Sequence, residues 1–414
     1  MQSGSSNSPP FWGVGGKKLR KMEMISFEEA YKTVMGSVSL TGTETVSFIE
    51  SLGRILAEDI ASDMDMPPFN KSTVDGFACR KVDLKHELEI LETIAAGMQP
   101  SKAISAEQCS RIMTGAPIPE GADMVFMVED SAILPSGNVK YSGSFTKENI
   151  AFKGEDIKKG DVVLKKGKLI KPQDVAVMAS VGSTSVLVSR KPLVAVISSG
   201  DELVEPFIKP GVSQIRNSNA YQLLAQLLRA GALGKYYGIA KDDKEATYQL
   251  VKQAIAECDI VLVTGGVSMG DFDFIPAVLE RAGVKILFSR INIQPGKPTT
   301  FGIHPNALVF GLPGNPVSTF TQFELLVRPL ICRMMGYDLN PFSVNIPMKV
   351  SFSRRLADRQ AFIPVIITSD GLVSPVEYHG SAHISSLSLA DGIISLEAGK
   401  KSIEKGEIVN VRQI

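Results

Sequence analysis

Cysteine is scarce: 414 residues hold four, Cys79, Cys109, Cys258 and Cys332. They are scattered and form no CxxC pair. That excludes a disulfide framework or a thiolate zinc site, and it points to buried free thiols in a reducing compartment, the cytoplasm. Histidine is equally sparse. His379 and His383 are the one close pair, and no cysteine or carboxylate set accompanies them at zinc-ligand spacing, so they read as solvated loop residues. Net charge is absent too, with 44 basic and 44 acidic residues. Binding a polyanion normally needs a basic face, so the balance argues against nucleic acid and anionic membrane surfaces as partners, a local basic patch aside. No apolar run approaches the ~20 residues of a membrane span. The start, "MQSGSSNSPPFWGVGGKKLRK", lacks the apolar segment of a signal peptide and reads as a disordered extension over residues 1–25. Its "GVGGKK" misses the GxxxxGK[ST] spacing of a P-loop, and no GxGxxG occurs either, which removes the common nucleotide-binding fingerprints.

The length and a 44% hydrophobic content leave ample core for roughly two to four domains. "SFEEAYKTVMGSV" offers Ser26 as N-cap with Glu29 three residues on, a capping box that opens a helix. "ETVSFIESLGRILAEDI" reads as a second helix. From 67 to 160 the apolar runs are short, as in "LEILETIA" and "DMVFMVED", which suits a small β domain on a loop-rich frame. "KKGDVVLKKGK" within and beyond its end reads as a solvated hairpin. "LIKPQDVAVMASVGSTSVLV" returns to strand, helix and strand, so the β domain is expected to interrupt a segment made of 26–66 and 161–190. Residues 191–337 alternate buried-type strands ("PLVAVISSG", "KYYGIAKDD", "DIVLVTGG", "VKILFSRINIQ", "ALVFGLPG") with helices. That predicts a mostly parallel sheet with right-handed crossovers, its last two strands forming a hairpin. In "SNAYQLLAQLLRAG", Tyr221, Leu224, Ala225 and Leu228 fall at i, i+3, i+4 and i+7, an apolar helical stripe that ends at Gly231. Residues 338–414 carry short alternating strands and read as a small β barrel or sandwich.

Ligands of open α/β sheets bind beyond the carboxyl ends of the strands. Here those ends read "SSGDEL", "KDD", "TGGVSMGDFD", "QPGKP" and "GLPGNPVS". Gly265 and Gly266 allow close backbone approach, the following helix offers free N–H groups, Ser268 adds a hydroxyl and Lys297 a positive charge, so a phosphate fits. Asp201, Glu202, Asp242, Asp271 and Asp273 supply hard oxygen ligands on the same rim. Carboxylates beside a phosphate point to Mg²⁺, with Asp242 and Asp273 as metal ligands. The plainer reading of Asp273 is an N-cap on the helix "FIPAVLERAG".

The ordered set "MPPFNKSTVDGFA", "RIMTGAPIPEGAD", "KGEDIKKGD", "SSGDEL", "TGGVSMGDFD", "QPGKP", "GLPGNPVS" and "GSAHISSLS" resembles the molybdopterin molybdenumtransferases, the family that includes the gephyrin E-domain. The resemblance covers residues 26–414. It implies a multidomain α/β and β fold in four parts: an elongated N-terminal domain (26–66 plus 161–190), the inserted β domain (67–160), a molybdopterin-binding α/β domain (191–337) and a C-terminal β barrel (338–414). It implies a homodimer whose active site lies between the α/β domain of one subunit and the inserted domain of the other. The implied reaction inserts molybdate into adenylylated molybdopterin, with Mg²⁺ and release of AMP, among other molybdenum-cofactor synthesis proteins. Matching motifs imply Asp75, Thr114, Asp156, Glu202, Asp242, Asp273 and Lys297 as catalytic residues. They imply Gly265, Gly266, Ser268, Pro313, Pro316 and Ser381 as binding residues. Three basic groups that some members carry are replaced here, by Ala151, Gln294 and Pro364. The rival reading is a molybdopterin-binding scaffold or carrier without catalysis. Loss of the rim acids would mark it, and all of them are present.

Overall fold

The structure, a computed structural model, describes residues 23–241, 243–266, 274–376 and 384–414. It forms two compact units, one of Gly42–Arg190 and one of Lys191–Ile414 together with the segment up to Thr41. Helix α1 (Phe27–Gly36) begins at the expected capping box: Ser26 Oγ accepts the Glu29 N–H (3.2 Å) and the Glu29 carboxylate accepts the Ser26 N–H (2.8 Å). The helix buries Ala30 and Val34, and Phe27 meets Phe362 edge-on, so it belongs to the unit that holds the C-terminal strands.

In Gly42–Arg190 the expected second helix is absent. Thr43–Ser47 is a strand paired antiparallel with Ser185–Ser189. Thr43, Thr45 and Val46 are β-branched and favour the extended chain. The helix-like signal in this stretch is a local cap: Ser47 and Glu50 exchange hydrogen bonds around one turn, which ends at Gly53 with φ +75°. The expected hairpin at "KKGDVVLKKGK" is also replaced, since Val162–Leu164 pairs with the distant Ile60–Ala61. Helix α2 (Pro172–Ser180) starts with proline in its first turn, where a missing N–H costs nothing. Between these elements lies a six-stranded sheet in which Gly76–Cys79 pairs with both Gln108–Ile112 and Met124–Met127. Alternation gives it two buried faces, Phe77, Cys79, Cys109 and Phe126 on one and Ala78, Ile94, Ile112 and Val125 on the other. All four cysteines are free and buried, and burial pushes the Cys79 and Cys109 thiols up to about 12. Such thiols are inert.

The other unit is built on the expected sheet. Its strands are β1 (Leu193–Ser199), β2 (Leu233–Ala240), β3 (Ile260–Thr264), β4 (Lys285–Phe288), β5 (Thr300–Ile303) and β6 (Leu308–Leu312), in the order β2-β1-β3-β6-β5-β4. β2, β1, β3 and β6 are parallel. Every residue of β3 is buried, and each such Val, Leu or Ile contributes about 1.5–3 kcal/mol. The hairpin differs from expectation. β5, "TFGI", was unmarked in the sequence and lies between β4 and β6, antiparallel to both. Its two threonine-flanked apolar residues and a glycine are too short a run to signal a strand.

Helices α3 (Ser218–Arg229), α4 (Lys244–Glu257), α5 (Ile275–Arg281), α6 (Pro316–Gln322) and α7 (Arg328–Met334) complete this part, with a π-helical turn joining α6 to α7. The buried face of α3 is not the apolar stripe visible in the sequence: Tyr221 and Leu228 are exposed, and Asn219, Ala220, Leu223, Gln226 and Leu227 are buried. The two buried amides are tolerated because each finds partners, Asn219 with Thr264 and Gly314, Gln226 with Glu324. The C-terminal strands Ser343–Pro347, Gln360–Ile367, Gly392–Leu396 and Ile408–Gln413 form an antiparallel sheet, and Ile293–Gln294 joins its edge parallel to Gln360–Ile367.

Candidate functional site at the rim of the central sheet

The carboxyl ends of β1, β3 and β6 meet at one rim. Register places a fourth loop there. Thr300 pairs with Gly311, so "QPGKP", just before antiparallel β5, lies beside the end of β6.

After β3 the chain turns through Gly265 (φ +93°) and Gly266 (φ +62°). A Cβ on Gly265 would fall 2.2 Å from the Ser199 carbonyl oxygen, and one on Gly266 would fall 2.9 Å from Ile275. Only glycine fits both the conformation and the space. We expect Gly265→Ala to lower stability by roughly 2–4 kcal/mol, as backbone strain at a packed turn does. A thermal melt checks this; an unchanged Tm would show that the turn relaxes freely.

Beneath the turn lies a buried polar knot that the sequence did not signal. Asn219 Nδ2 donates to Thr264 Oγ1 (3.0 Å) and the Gly314 carbonyl (2.7 Å), and the Pro313 carbonyl accepts from Thr264 Oγ1 (3.1 Å) and from Thr319. It fixes the "TGG" and "LPGNP" loops against each other. Pro313 is within it, and Pro316 opens α6.

After β1, Gly200 lets the Glu202 carboxylate fold back: a Cβ there would stand 2.5 Å from Glu202 Oε2. The exposed Glu202 leads into Leu203–Val204, which pairs with Ile215–Arg216. Glu205 anchors the same loop by accepting hydrogen bonds from Tyr221 (2.9 Å) and Tyr236 (2.8 Å). Burial, then the bond to Glu205, pushes the Tyr236 hydroxyl above its ordinary range. Sequence reasoning passed over Glu205, because its tyrosine partners lie on other elements.

In "KDD", Asp243 is the N-cap of α4 and accepts the Ala246 N–H at 2.7 Å. The second aspartate of the pair therefore serves the helix. At α5 the N-cap position is held by Phe274, with no side-chain cap bond. Lys297 is exposed, and its ammonium has no hydrogen-bond or ion-pair partner among the described residues. Asp242, Ser268, Asp271, Asp273 and Ser381, and His379 and His383, lie outside the described residues. Among the described residues no group of three or more metal-ligating side chains gathers.

The remaining candidates lie in the Gly42–Arg190 unit, where three motifs converge. Asp75 Oδ1 accepts the Thr114 N–H (2.6 Å) and the Thr114 hydroxyl (2.8 Å). Those bonds, aided by the charge of Arg111, hold the Asp75 carboxyl below its ordinary range. Lys71 pairs with Ala151 across a two-stranded ribbon, and the Asp156 N–H donates to the Met66 carbonyl (3.0 Å), so "GEDI" folds onto the segment that leads to Asp75. Asp75, Thr114 and Asp156 are all exposed. Thr114→Val removes one of the two donors, and the Asp75 pKa should rise toward the ordinary carboxylate value; carboxyl-carbon NMR titration reads it, and an unmoved pKa would show that the backbone N–H suffices.

These features define a multidomain α/β protein with a glycine-lined rim at its strand ends and β-rich parts on either side of it in sequence. Residues 25–182 match the family description "MoeA N-terminal region (domain I and II)", 195–333 match "Probable molybdopterin binding domain", and 349–414 match "MoeA C-terminal region (domain IV)". The chain is 38% identical over 410 residues to a molybdopterin molybdenumtransferase of Staphylococcus epidermidis, covering 95% of this chain and 96% of that one. It is 36% identical over 417 residues to the Bacillus subtilis protein of the same name, covering 95% of each. The solved molybdopterin biosynthesis moeA protein of Pyrococcus horikoshii OT3 superposes with a TM-score of 0.82 at 30% identity, covering 95% of this chain and all of that one. The chain belongs to the MoeA family, the molybdopterin molybdenumtransferases of molybdenum cofactor biosynthesis.

Proposed function

We propose that this chain inserts molybdate into adenylylated molybdopterin, cleaving the phosphoanhydride and releasing AMP. The observation that carries the reading is the near-complete match, over 95% of this chain, to a molybdopterin molybdenumtransferase. The rim supports it chemically. On this reading Gly265, Gly266 and Ser268 hold the pterin phosphate, Pro313 and Pro316 shape the wall beside it, and Lys297 faces an anion. The same reading counts Ser381, in the C-terminal part of the chain, among the binding residues. Asp242 and Asp273 would hold Mg²⁺, which supplies charge neutralisation at the phosphoryl oxygens. Glu202 beside them helps orient the bound group.

The reading also takes the chain as a homodimer with four parts per subunit, 26–66 with 161–190, 67–160, 191–337 and 338–414. Asp75, Thr114 and Asp156 then complete the rim of the other subunit. The cytoplasm suits four unoxidised buried thiols, and other molybdenum-cofactor synthesis proteins supply the adenylylated substrate.

The test is to incubate the purified protein with adenylylated molybdopterin, Mg²⁺ and molybdate. AMP release that requires all three is the expected result. Tight pterin binding without AMP release would make the chain a carrier instead.

A further inference from the structure

Gln322 closes helix α6 and is completely buried. Its Nε2 donates to the Pro295 carbonyl at 3.2 Å, and its Oε1 has no hydrogen-bond partner among the described residues. An unpartnered buried oxygen costs stability, and an apolar side chain of the same length would avoid that cost. The amide lies directly under the "QPGKP" loop: Gly296 has φ +103°, and a Cβ on it would fall 2.2 Å from Gln322 Nε2.

Three successive carbonyls of the loop are engaged within the protein. Pro295 O accepts from Gln322, Gly296 O accepts from the buried Thr299 Oγ1 (2.8 Å), and Lys297 O accepts from the Ile291 and Thr299 N–H groups (3.0 Å each). The N–H groups of Gly296 and Lys297 are left without a hydrogen bond among the described residues, as is the Lys297 ammonium. Pro295 and Pro298 have no N–H to compete. Turning three successive carbonyls away from one side of a loop and leaving two N–H groups and a cation uncommitted makes that loop attractive to an anion.

We propose that Gln322 is a positioning residue: it holds the Pro295–Gly296 backbone from below, so that Lys297 and the two adjacent N–H groups face the anionic substrate. This rests on the role given to Lys297 in the proposed function. Gln322 never touches the substrate, and its effect passes through the loop.

The test is Gln322→Met, which keeps the length and removes both the donor and the unpartnered oxygen. We expect a Tm near wild type, because removal of the unpartnered oxygen offsets the donor lost at the Pro295 carbonyl, with a kcat within about threefold and a KM for molybdate or adenylylated molybdopterin raised on the order of tenfold, the scale of one lost hydrogen bond. A lowered Tm with unchanged KM would show a structural role only, and no change in either would show none; both overturn the inference. Should the Met variant unfold or lose stability and affinity together, Thr299→Val is read instead. It frees the Gly296 carbonyl from another direction and should raise the same KM, and a wild-type KM there overturns the inference. Wild-type protein that releases no AMP overturns the proposed function and this inference with it. An active wild type beside a Met variant of unchanged KM overturns the inference alone.

Discussion

Asp273→Asn is expected to cut Mg²⁺-dependent AMP release on the order of a thousandfold, the scale on which losing a charge partner at a transition state is felt. Pterin binding and Tm should stay near wild type. Asp273 follows the "TGG" turn, whose two glycines bring backbone to the proposed phosphate position. A carboxylate beside a phosphate repels it unless a cation lies between them, so its charge makes sense chiefly with Mg²⁺ bound. The plainer role, a helix N-cap, predicts a different result, because asparagine caps about as well as aspartate and the variant would keep both stability and activity. At the neighbouring strand end Asp243 caps α4, and on the metal reading Asp242→Asn should show the same pattern as Asp273→Asn. A stable, pterin-binding Asp273→Asn protein that releases AMP at the wild-type rate would sink the metal-site reading for this residue.

The parallel strands were legible because buried strands write themselves as continuous apolar runs. "DIVLV" and "LVAVIS" became β3 and β1 with nearly every residue buried. Where local signals compete, the sequence misleads. The Ser47–Glu50 cap mimics a helix start, but cross-strand pairing with Ser185–Ser189 decides that stretch. On α3, two overlapping stripes satisfy helical spacing, and the less apolar one is buried because Asn219 and Gln226 find partners that lie far away in sequence. The same reason hides half of the site. Glycines and acids at strand ends are visible in the chain. The supports are not: Asn219 under the "TGG" turn, Glu205 between two tyrosines and Gln322 under "QPGKP" depend on contacts between elements that no spacing encodes.

Asp75→Asn should be nearly inactive as a homodimer, yet regain activity when mixed with Asp273→Asn subunits. The substitution keeps an amide oxygen to accept the Thr114 N–H and hydroxyl, so the local fold should hold and only the charge is removed. That charge is present throughout the working range. The Thr114 bonds hold the Asp75 pKa below its ordinary 3.8, so the stabilisation they give is complete at neutral pH and is lost only as pH falls through the folded value, below 3.8. An acid limb of activity near pH 5–6 would therefore not belong to Asp75. If each site joins the rim of one subunit to the Asp75 loop of the other, a mixed dimer holds one site with both defects and one with neither. It should show about half the activity of a wild-type dimer, as two-fold symmetry dictates. Differently tagged subunits, isolated as the mixed species, allow that activity to be measured directly. Mixed dimers that form properly and release no AMP would place the Asp75 and Asp273 loops in the same subunit's site and overturn the shared arrangement. Activity in the isolated monomer would do the same.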